Sequence, residues 1–400
     1  MQYTGCAMSE CPLRFSIVAN CSVSKARAAT MSLPHAVVDT PVFMPVGTQG
    51  TMKGVTPEQL KDPLLDCRLI LGNTYHLANK PGCDVLKKFD GLHNFMRWDR
   101  ALLTDSGGFQ MVSLLELSNV TEEGVHFQSP YNASPMLLSP EASISIQNII
   151  GGDIIMQLDD VVHSLTVGER VEKAMKRSCR WLDRCEKAHS SETRQSLFGI
   201  VQGGLDPHLR KESIKELVKL DLPGYAIGGL SGGEKKEEFW RIVALCSDLL
   251  PSHKPRYCMG VGYPVDLIVC CALGVDMFDC VYPTRTARFG RALVSTGEIN
   301  LKDKEFENDF QPIEQSCKCI TCCNYTRASL HALLQGDSVV CSLLTVHNLY
   351  QHLKLMKNIR GSIIKGYFSA FVKEFLQNMF IDKKIDDWII QSLASVNILL

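Results

Sequence analysis

The sequence predicts an α/β protein of the (β/α)8 barrel class, preceded by an antiparallel ribbon and followed by a zinc-binding subdomain. Three observations carry that expectation. Short, mostly apolar runs recur eight times between residues 41 and 282. Amphipathic stretches of helical period fall between them. The runs end in polar or small residues, chiefly Gly, Asp, Asn and Gln, as buried parallel strands do where they open onto loops. Eight such units in about this length suit a closed barrel. An open doubly wound sheet is the alternative, and it is weakened because neither a dinucleotide fingerprint nor a phosphate-binding P-loop is present.

The elements follow in order. Residues 14–38 alternate and carry Ser, Thr and Asn turns, which predicts the ribbon, with a first unit over 1–40. The barrel occupies 41–300. Its expected strands are 41–46 (PVFMPV), 67–73 (CRLILGN), 101–106 (ALLTDS), 154–160, 196–203, 224–230, 256–262 and 275–282. Helices are expected over 140–150, 167–189, 207–220, 234–250 and 264–273, several opening with a proline or an acid in the first turn. Residues 120–138 are polar and strand-like and read as a hairpin inserted into the third unit. The alternation stops at Asn300, and a zinc subdomain is placed over 301–362. Residues 359–379 read as one helix, and 363–400 as a C-terminal helix and tail.

Composition bounds the function. Forty-two basic residues against forty-three acidic ones leave a net charge of −1, so any nucleic-acid site is a local patch on a chain that is no general polyanion binder. Residues 1–14 lack the basic start and apolar core of a signal peptide. The longest apolar stretch, 265–275, is interrupted and too short to span a bilayer. Seventeen cysteines is a high and odd number. Most, such as Cys67, Cys246 and Cys258, sit in apolar segments, as reduced cysteines packing like small hydrophobes do.

The stretch GVDMFDCVYPTRTARFG, residues 274–290, organises the reading of the site. An apolar strand runs into Asp279, and an acid at the end of a buried strand loses solvation unless something compensates it. Pro283 and three arginines (Arg285, Arg288, Arg291) follow as a compact positive lip suited to phosphates. The other strand ends supply Asp105, Asp159, Asp160, Gln202, Gly229 and Met259. Asp105 heads DSGGFQ, where Ser106 and two glycines put backbone N–H groups beside the acid and Phe109 offers a stacking face. Gln202 in GIVQGG and the amides of 228–234 (GGLSGGE) form a frame for a planar heterocycle. Two carboxylates facing one pocket suit chemistry at an anomeric carbon, one attacking and one managing protons.

Cys317, Cys319 and Cys322 form C-x-C-x-x-C, with Cys323 adjacent and His347 further on. Three thiolates and one imidazole make a closed tetrahedral zinc site, structural because no position remains for water. His331 and His352 are weaker candidates for the fourth ligand, and Cys323, a competitor of Cys322 by position, is expected to be unligated.

Taken in order, TDSGGFQ, GIVQGG, AIGGLSGGE, MGVGYP, FDCVYPTRTAR and C-x-C-x-x-C…H resemble tRNA-guanine transglycosylase over roughly residues 41–375, and its eukaryotic, queuine-inserting catalytic subunit in particular. The resemblance implies exchange of wobble guanine for a 7-deazaguanine base in G-U-N anticodon tRNAs, those accepting Asn, Asp, His and Tyr. It implies Asp279 as nucleophile and Asp105 as general acid/base. Asp159, Gln202, Gly229 and Leu230 match the residues that read the base, with Ser106 nearby. Phe109 and Met259 match the pair that sandwich its ring. Gly260, Val261, Gly262, Tyr263, Pro264, Val265 and Asp266, with Thr284, Arg285, Thr286, Ala287 and Arg288, match the anticodon-binding segments. Cys317, Cys319, Cys322 and His347 match the ligands of a structural Zn2+, and no nucleotide cofactor is implied.

Two departures from the bacterial pattern bear on substrate. Bacterial members typically carry a bulkier residue at Gly232, and Glu-Cys in place of Asp160-Val161. The smaller residue opens room for the cyclopentenediol arm of queuine. The resemblance also implies a heterodimer with a non-catalytic paralogue, a homodimer being the alternative assembly, and a cytoplasmic location extending to peripheral contact with the mitochondrial outer membrane. A non-catalytic scaffold of the same fold would have lost Asp105 or Asp279, and both are present. A glycosidase or nucleoside hydrolase would not account for the arginine lip or the zinc cluster.

Overall fold

The computed structural model describes residues 12–108, 119–128, 134–191, 193–334, 336–381 and 383–400. Three antiparallel strands come first: β1 (Arg14–Asn20), β2 (Arg27–Ser32) and β3 (Val37–Thr40). The barrel strands β4 (Val42–Gly47), β5 (Leu69–Gly72) and β6 (Ala101–Thr104) follow. The inserted segment is a small antiparallel sheet of β7 (Asn119–Val120), β8 (Val125–Gln128) and β9 (Pro135–Leu138). The barrel resumes with β10 (Ile154–Met156), β11 (Ser196–Val201), β12 (Gly224–Ile227), β13 (Arg256–Cys258) and β14 (Met277–Cys280). These eight strands are parallel, and β14 closes on β4. All eight expected strands are present; β4 is displaced by one residue from its predicted run, and the other seven are shorter than the runs that predict them.

A two-residue step explains both the interior of the barrel and the position of its site. Val42 and Met44, Leu69 and Leu71, Ala101 and Leu103, Ile154 and Met156, Phe198 and Ile200, with Ala226, Tyr257 and Met277, form one buried cluster. The residues between them, including Phe43, Ile155, Leu197, Ile227 and Phe278, belong to the outer core under the helices. Successive side chains of a strand face opposite sides, so the next inward position is two residues further on. Those positions are Val46, Asn73, Asp105, Gln202, Gly228, Met259 and Asp279. The apolar filling thus ends in a polar layer at the carboxyl ends of the strands. Strand β10 alone shifts parity past Met156, placing Leu158 in the outer core and Asp159 inward.

The floor of the barrel is fastened to the ribbon by buried carboxylates that immediately precede two barrel strands. Asp276, before β14, takes Arg27 Nε at 2.8 Å and Nη2 at 2.6 Å. Asp153, before β10, accepts from the His35 backbone N–H (3.0 Å), His35 Nδ1 (2.8 Å) and the Leu102 N–H (2.8 Å), with His93 Nε2 at 3.4 Å. The two imidazoles stack at 3.7 Å. These donors hold the Asp153 carboxyl down at about 2 and raise His35. The sign of the pH dependence follows from those shifts. The raised His35 contributes stability that is complete below its ordinary value near 6.5 and fades as pH rises through the folded value. The depressed Asp153 contributes above about 4 and is lost toward about 2. Asp153→Asn should cost roughly 3 kcal/mol, because its amide would face the same N–H donors. His35→Ala should remove part of the stability gained between pH 8 and 5.5. Thermal denaturation at both pH values checks this, and a wild-type difference no larger than that of His35→Ala would refute the latch.

Beyond the barrel, β15 (Arg291–Val294) and β16 (Gly297–Asn300) form a hairpin that sequence reading did not anticipate. Helices Ile320–Asn324, Arg327–Leu333 and Val339–Ile364 follow. The single helix expected over 359–379 is instead two. It breaks at Gly366 (φ +76°), and the next helix spans Phe368–Met379. A further helix, Asp387–Ala394, buries Trp388, Ile389 and Leu393 beside barrel helices Lys236–Leu249 and Pro264–Ala272. Among the described residues no helix is long and apolar enough to cross a membrane.

Candidate active site

The polar layer opens into a cavity of about 700 Å³ lined by Asn73, Asp105, Ser106, Asp159, Gly229, Leu230, Gly232, Tyr257, Met259 and Asp279, among others. The two acids singled out from strand ends therefore face one space. Asp279 sits on β14, and its Oδ1 accepts from Tyr257 Oη at 2.5 Å and from the Gly260 N–H at 2.8 Å. Burial pushes this carboxyl upward and the nearby Asp105 charge adds to that, while the two donors pull it back. Tyr257 is driven well above the ordinary tyrosine range by burial beside Asp279, so it stays a donor. Asp105 ends β6. Its Oδ1 accepts from the N–H of Thr74 (2.9 Å) and of Gly107 (3.1 Å), and Asn73 Nδ2 donates to Oδ2. Both acids are held by several donors, so their geometry is set before any ligand arrives.

Asp159 forms the third acidic position. Gln202 Nε2 donates to its Oδ2 at 2.6 Å and Ser106 Oγ lies 3.4 Å from Oδ1. Burial, with the neighbouring Asp160 charge, raises its carboxyl to about 6. Gln202 stands behind Gly229. That glycine has φ +67°, and a Cβ there would collide with Gln202 Oε1, so only glycine lets the backbone close over the Gln202–Asp159 pair. Asp160 leaves the strand-end group. Its carboxylate turns outward to Arg170 (2.6 and 2.9 Å) and Arg177 (2.5 Å). Phe109 lies outside the described residues.

A second cavity of about 630 Å³ adjoins the first through Ser231, Gly260, Cys280, Val281 and Arg285. The arginine-bearing segment is a short helix, Tyr282–Arg288, that exposes Arg285 and Arg288 and buries Thr284 and Ala287, with Thr286 half-buried. Arg291 is paired with Glu298. In the other expected contact segment, Gly260 and Tyr263 are exposed, Pro264 and Val265 are half-buried, and Val261 and Gly262 are buried. Asp266 is buried against Lys236 Nζ at 2.5 Å.

The cysteine cluster assembles as the spacing predicts. His347 Nδ1 lies 3.7, 3.5 and 3.3 Å from the sulfurs of Cys317, Cys319 and Cys322. These ligand atoms all lie within 4.8 Å of one another and could hold a metal ion. A tetrahedral ion with ordinary Zn–S and Zn–N bonds sets sulfur and nitrogen about 3.6 Å apart, so the donors fit. His347 Nε2 donates to the Leu293 carbonyl at 2.7 Å, which turns Nδ1 toward the thiols. The rival ligands are otherwise engaged: His352 Nε2 bonds the Gly262 carbonyl at 2.6 Å and His331 Nδ1 the Leu301 carbonyl at 2.8 Å. Cys323 is exposed.

Sequence reading missed Tyr257, Asn73 and the Gly260 N–H. Tyr257 is inward by the two-residue step and Asn73 closes a predicted strand, so strand parity carried a signal for both. The Gly260 amide carried none.

The profile of the family described as queuine tRNA-ribosyltransferase matches residues 21–380. The queuine tRNA-ribosyltransferase catalytic subunit of Schizosaccharomyces pombe is 53% identical over 396 residues, covering 96% of this chain and 97% of that protein. The catalytic subunit of Caenorhabditis elegans is 53% identical over 92% of this chain and 91% of its own length. The queuine tRNA-ribosyltransferase of Bacillus subtilis is 46% identical over 92% and 97%.

Proposed function

We propose, from the premise that this chain belongs to the queuine tRNA-ribosyltransferase family, that it exchanges the wobble guanine of G-U-N anticodon tRNAs for queuine through a covalent ribosyl-enzyme intermediate. The observation that carries the reading is the pair Asp279 and Asp105 on one cavity, each fixed by several donors. Asp279 Oδ1 is occupied by Tyr257 and Gly260, so Oδ2 is the oxygen left to attack the ribose anomeric carbon. As the C–N bond to guanine breaks, the new C–O bond forms and Asp105 gives a proton to the leaving base. The incoming base returns that proton to Asp105, attacks the same carbon and releases Asp279. One glycosidic bond replaces another of similar energy, so no nucleotide cofactor is required.

Asp159, with Gln202 behind it, would accept from the donor edge of the base. Met259 would cover one face of the ring, and Phe109 is expected on the other. Arg285 and Arg288 would meet the anticodon phosphates, with Thr284, Ala287, Val261 and Asp266 positioning those segments from beneath. Zn2+ at Cys317, Cys319, Cys322 and His347 would hold subdomain geometry and supply no chemistry. The words "catalytic subunit" in the names of two relatives support assembly with a non-catalytic partner, and the reduced cysteines support a cytoplasmic location.

Guanine release from labelled tRNA, with and without queuine and with a partner subunit added in parallel, tests the reading, and no release under any of these conditions would refute it. Within that assay Gly232→Val should raise the KM for queuine tenfold or more relative to guanine. A Cβ at 232 already comes within 2.8 Å of Ser164 Oγ, and the valine methyls would fill the room left for the arm. Equal loss with both bases would defeat the assignment of Gly232 to specificity.

A further inference from the structure

Two loops meet at one edge of the reaction cavity, residues 161–164 after β10 and residues 229–232 after β12. Ser164 stands at their junction. It is only 4% exposed, it lines the cavity, and its Oγ is buried without a hydrogen-bond partner among the described residues. Several polar groups of the two loops are already engaged. The backbone N–H groups of Ser231 and Gly232 both donate to Glu234, at 2.6 and 2.9 Å, and His163 Nδ1 accepts from the Leu165 N–H at 3.3 Å. An unpaired buried hydroxyl is costly, and buried polar groups are almost always satisfied. A hydroxyl in that state on a cavity wall is poised for a group that the ligand brings.

We propose that Ser164 Oγ recognises a hydroxyl on the side arm of the incoming base and is a specificity-determining residue for bases whose arm carries a diol. The inference rests on the function proposed above and goes beyond it. Gly232 supplies room, whereas Ser164 supplies the polar contact that makes this room selective. Its hydroxyl can donate to or accept from an arm hydroxyl, while guanine has no arm to reach it. A site built to pair with a ligand hydroxyl discriminates against analogues lacking it, because the buried partner is then left unpaired.

The test compares wild type with Ser164→Ala, using queuine, guanine and a queuine analogue whose ring lacks both hydroxyls. Removal of one neutral hydrogen bond of about 1.4 kcal/mol should raise the ratio of KM for queuine to KM for guanine about tenfold. The mutant should no longer distinguish queuine from the deoxy analogue as the wild type does. Its melting temperature should not fall, since the variant deletes an unsatisfied group. Gly232→Ala, which pushes a methyl toward Ser164 Oγ, should move the ratio in the same direction. An unchanged ratio, or an equal rise for all three bases, would overturn the role of Ser164 while leaving base exchange intact. Absence of exchange by the wild type with every base would instead overturn the parent reading.

Discussion

Asp279→Ala is expected to lower base exchange by roughly 10⁴-fold or more, the scale on which loss of a nucleophile acts when its partners remain. Its Oδ1 is tied to Tyr257 and Gly260, which fixes the carboxylate on the barrel axis side of β14. Burial raises its basicity, which strengthens it as a nucleophile, and the two donors keep its ionised form accessible. A protein–tRNA adduct that survives denaturation should form with wild type and not with the variant. Tyr257→Phe should leave the adduct but slow its formation, since the carboxylate would lose one of two fixed donors. Exchange that persists in Asp279→Ala would require another nucleophile and would dismantle the two-acid mechanism.

Asp279 was legible as an acid ending an apolar strand, and parity along the strand is the physical reason it faces the cavity. Met277 fills the barrel and Phe278 packs outside it, so the next residue must face inward, just above the apolar layer. Strand-end position likewise marked Asp105 and Gln202. It also marked Asp160, which turns outward because the chain shifts parity past Met156 and Asp159 takes the inward position alone. Nothing in the run IIMQLDD announces that shift, which depends on Arg170 and Arg177 waiting on the following helix to receive Asp160. The helix break at Gly366 has a related cause. A glycine in a helical pattern is tolerated or terminal according to packing, and here the segment after it turns to cover the barrel. Contacts such as Arg27 to Asp276 join residues 249 positions apart, a distance over which local pattern carries no information. The loop serine at 164 was equally invisible: its significance lies in having no partner among the described residues, which is a property of the folded wall and not of the sequence.

Loss of the zinc proposed at the cysteine cluster should damage the enzyme by a different route, through its grip on tRNA. Helix Val339–Ile364 carries His347 into the cysteine cluster and, in the next turns, holds both segments proposed to grip the anticodon. Asn348 Nδ2 donates to the carbonyls of Pro283 and Arg291 at 3.0 Å each, and its Oδ1 accepts from the Leu293 N–H at 2.9 Å. His352, held neutral by burial that lowers it to about 4, donates to the Gly262 carbonyl. The helix is therefore a brace between the metal cluster and the two lips of the site. A structural zinc site contributes about 10 kcal/mol or more in small domains that depend on it. Here the helix is also buried through Leu344, Val346 and Leu349, so the protein should stay folded at the barrel while the brace loosens. Cys319→Ser should abolish bound zinc, lower the melting temperature, and weaken tRNA binding tenfold or more, with the KM for tRNA rising well before the KM for the free base. Metal content by elemental analysis, read beside tRNA affinity, checks the coupling. Full tRNA affinity in a zinc-free protein would show that the Pro283–Leu293 and Gly262 contacts stand without the cluster, and that the metal stabilises only its own loop.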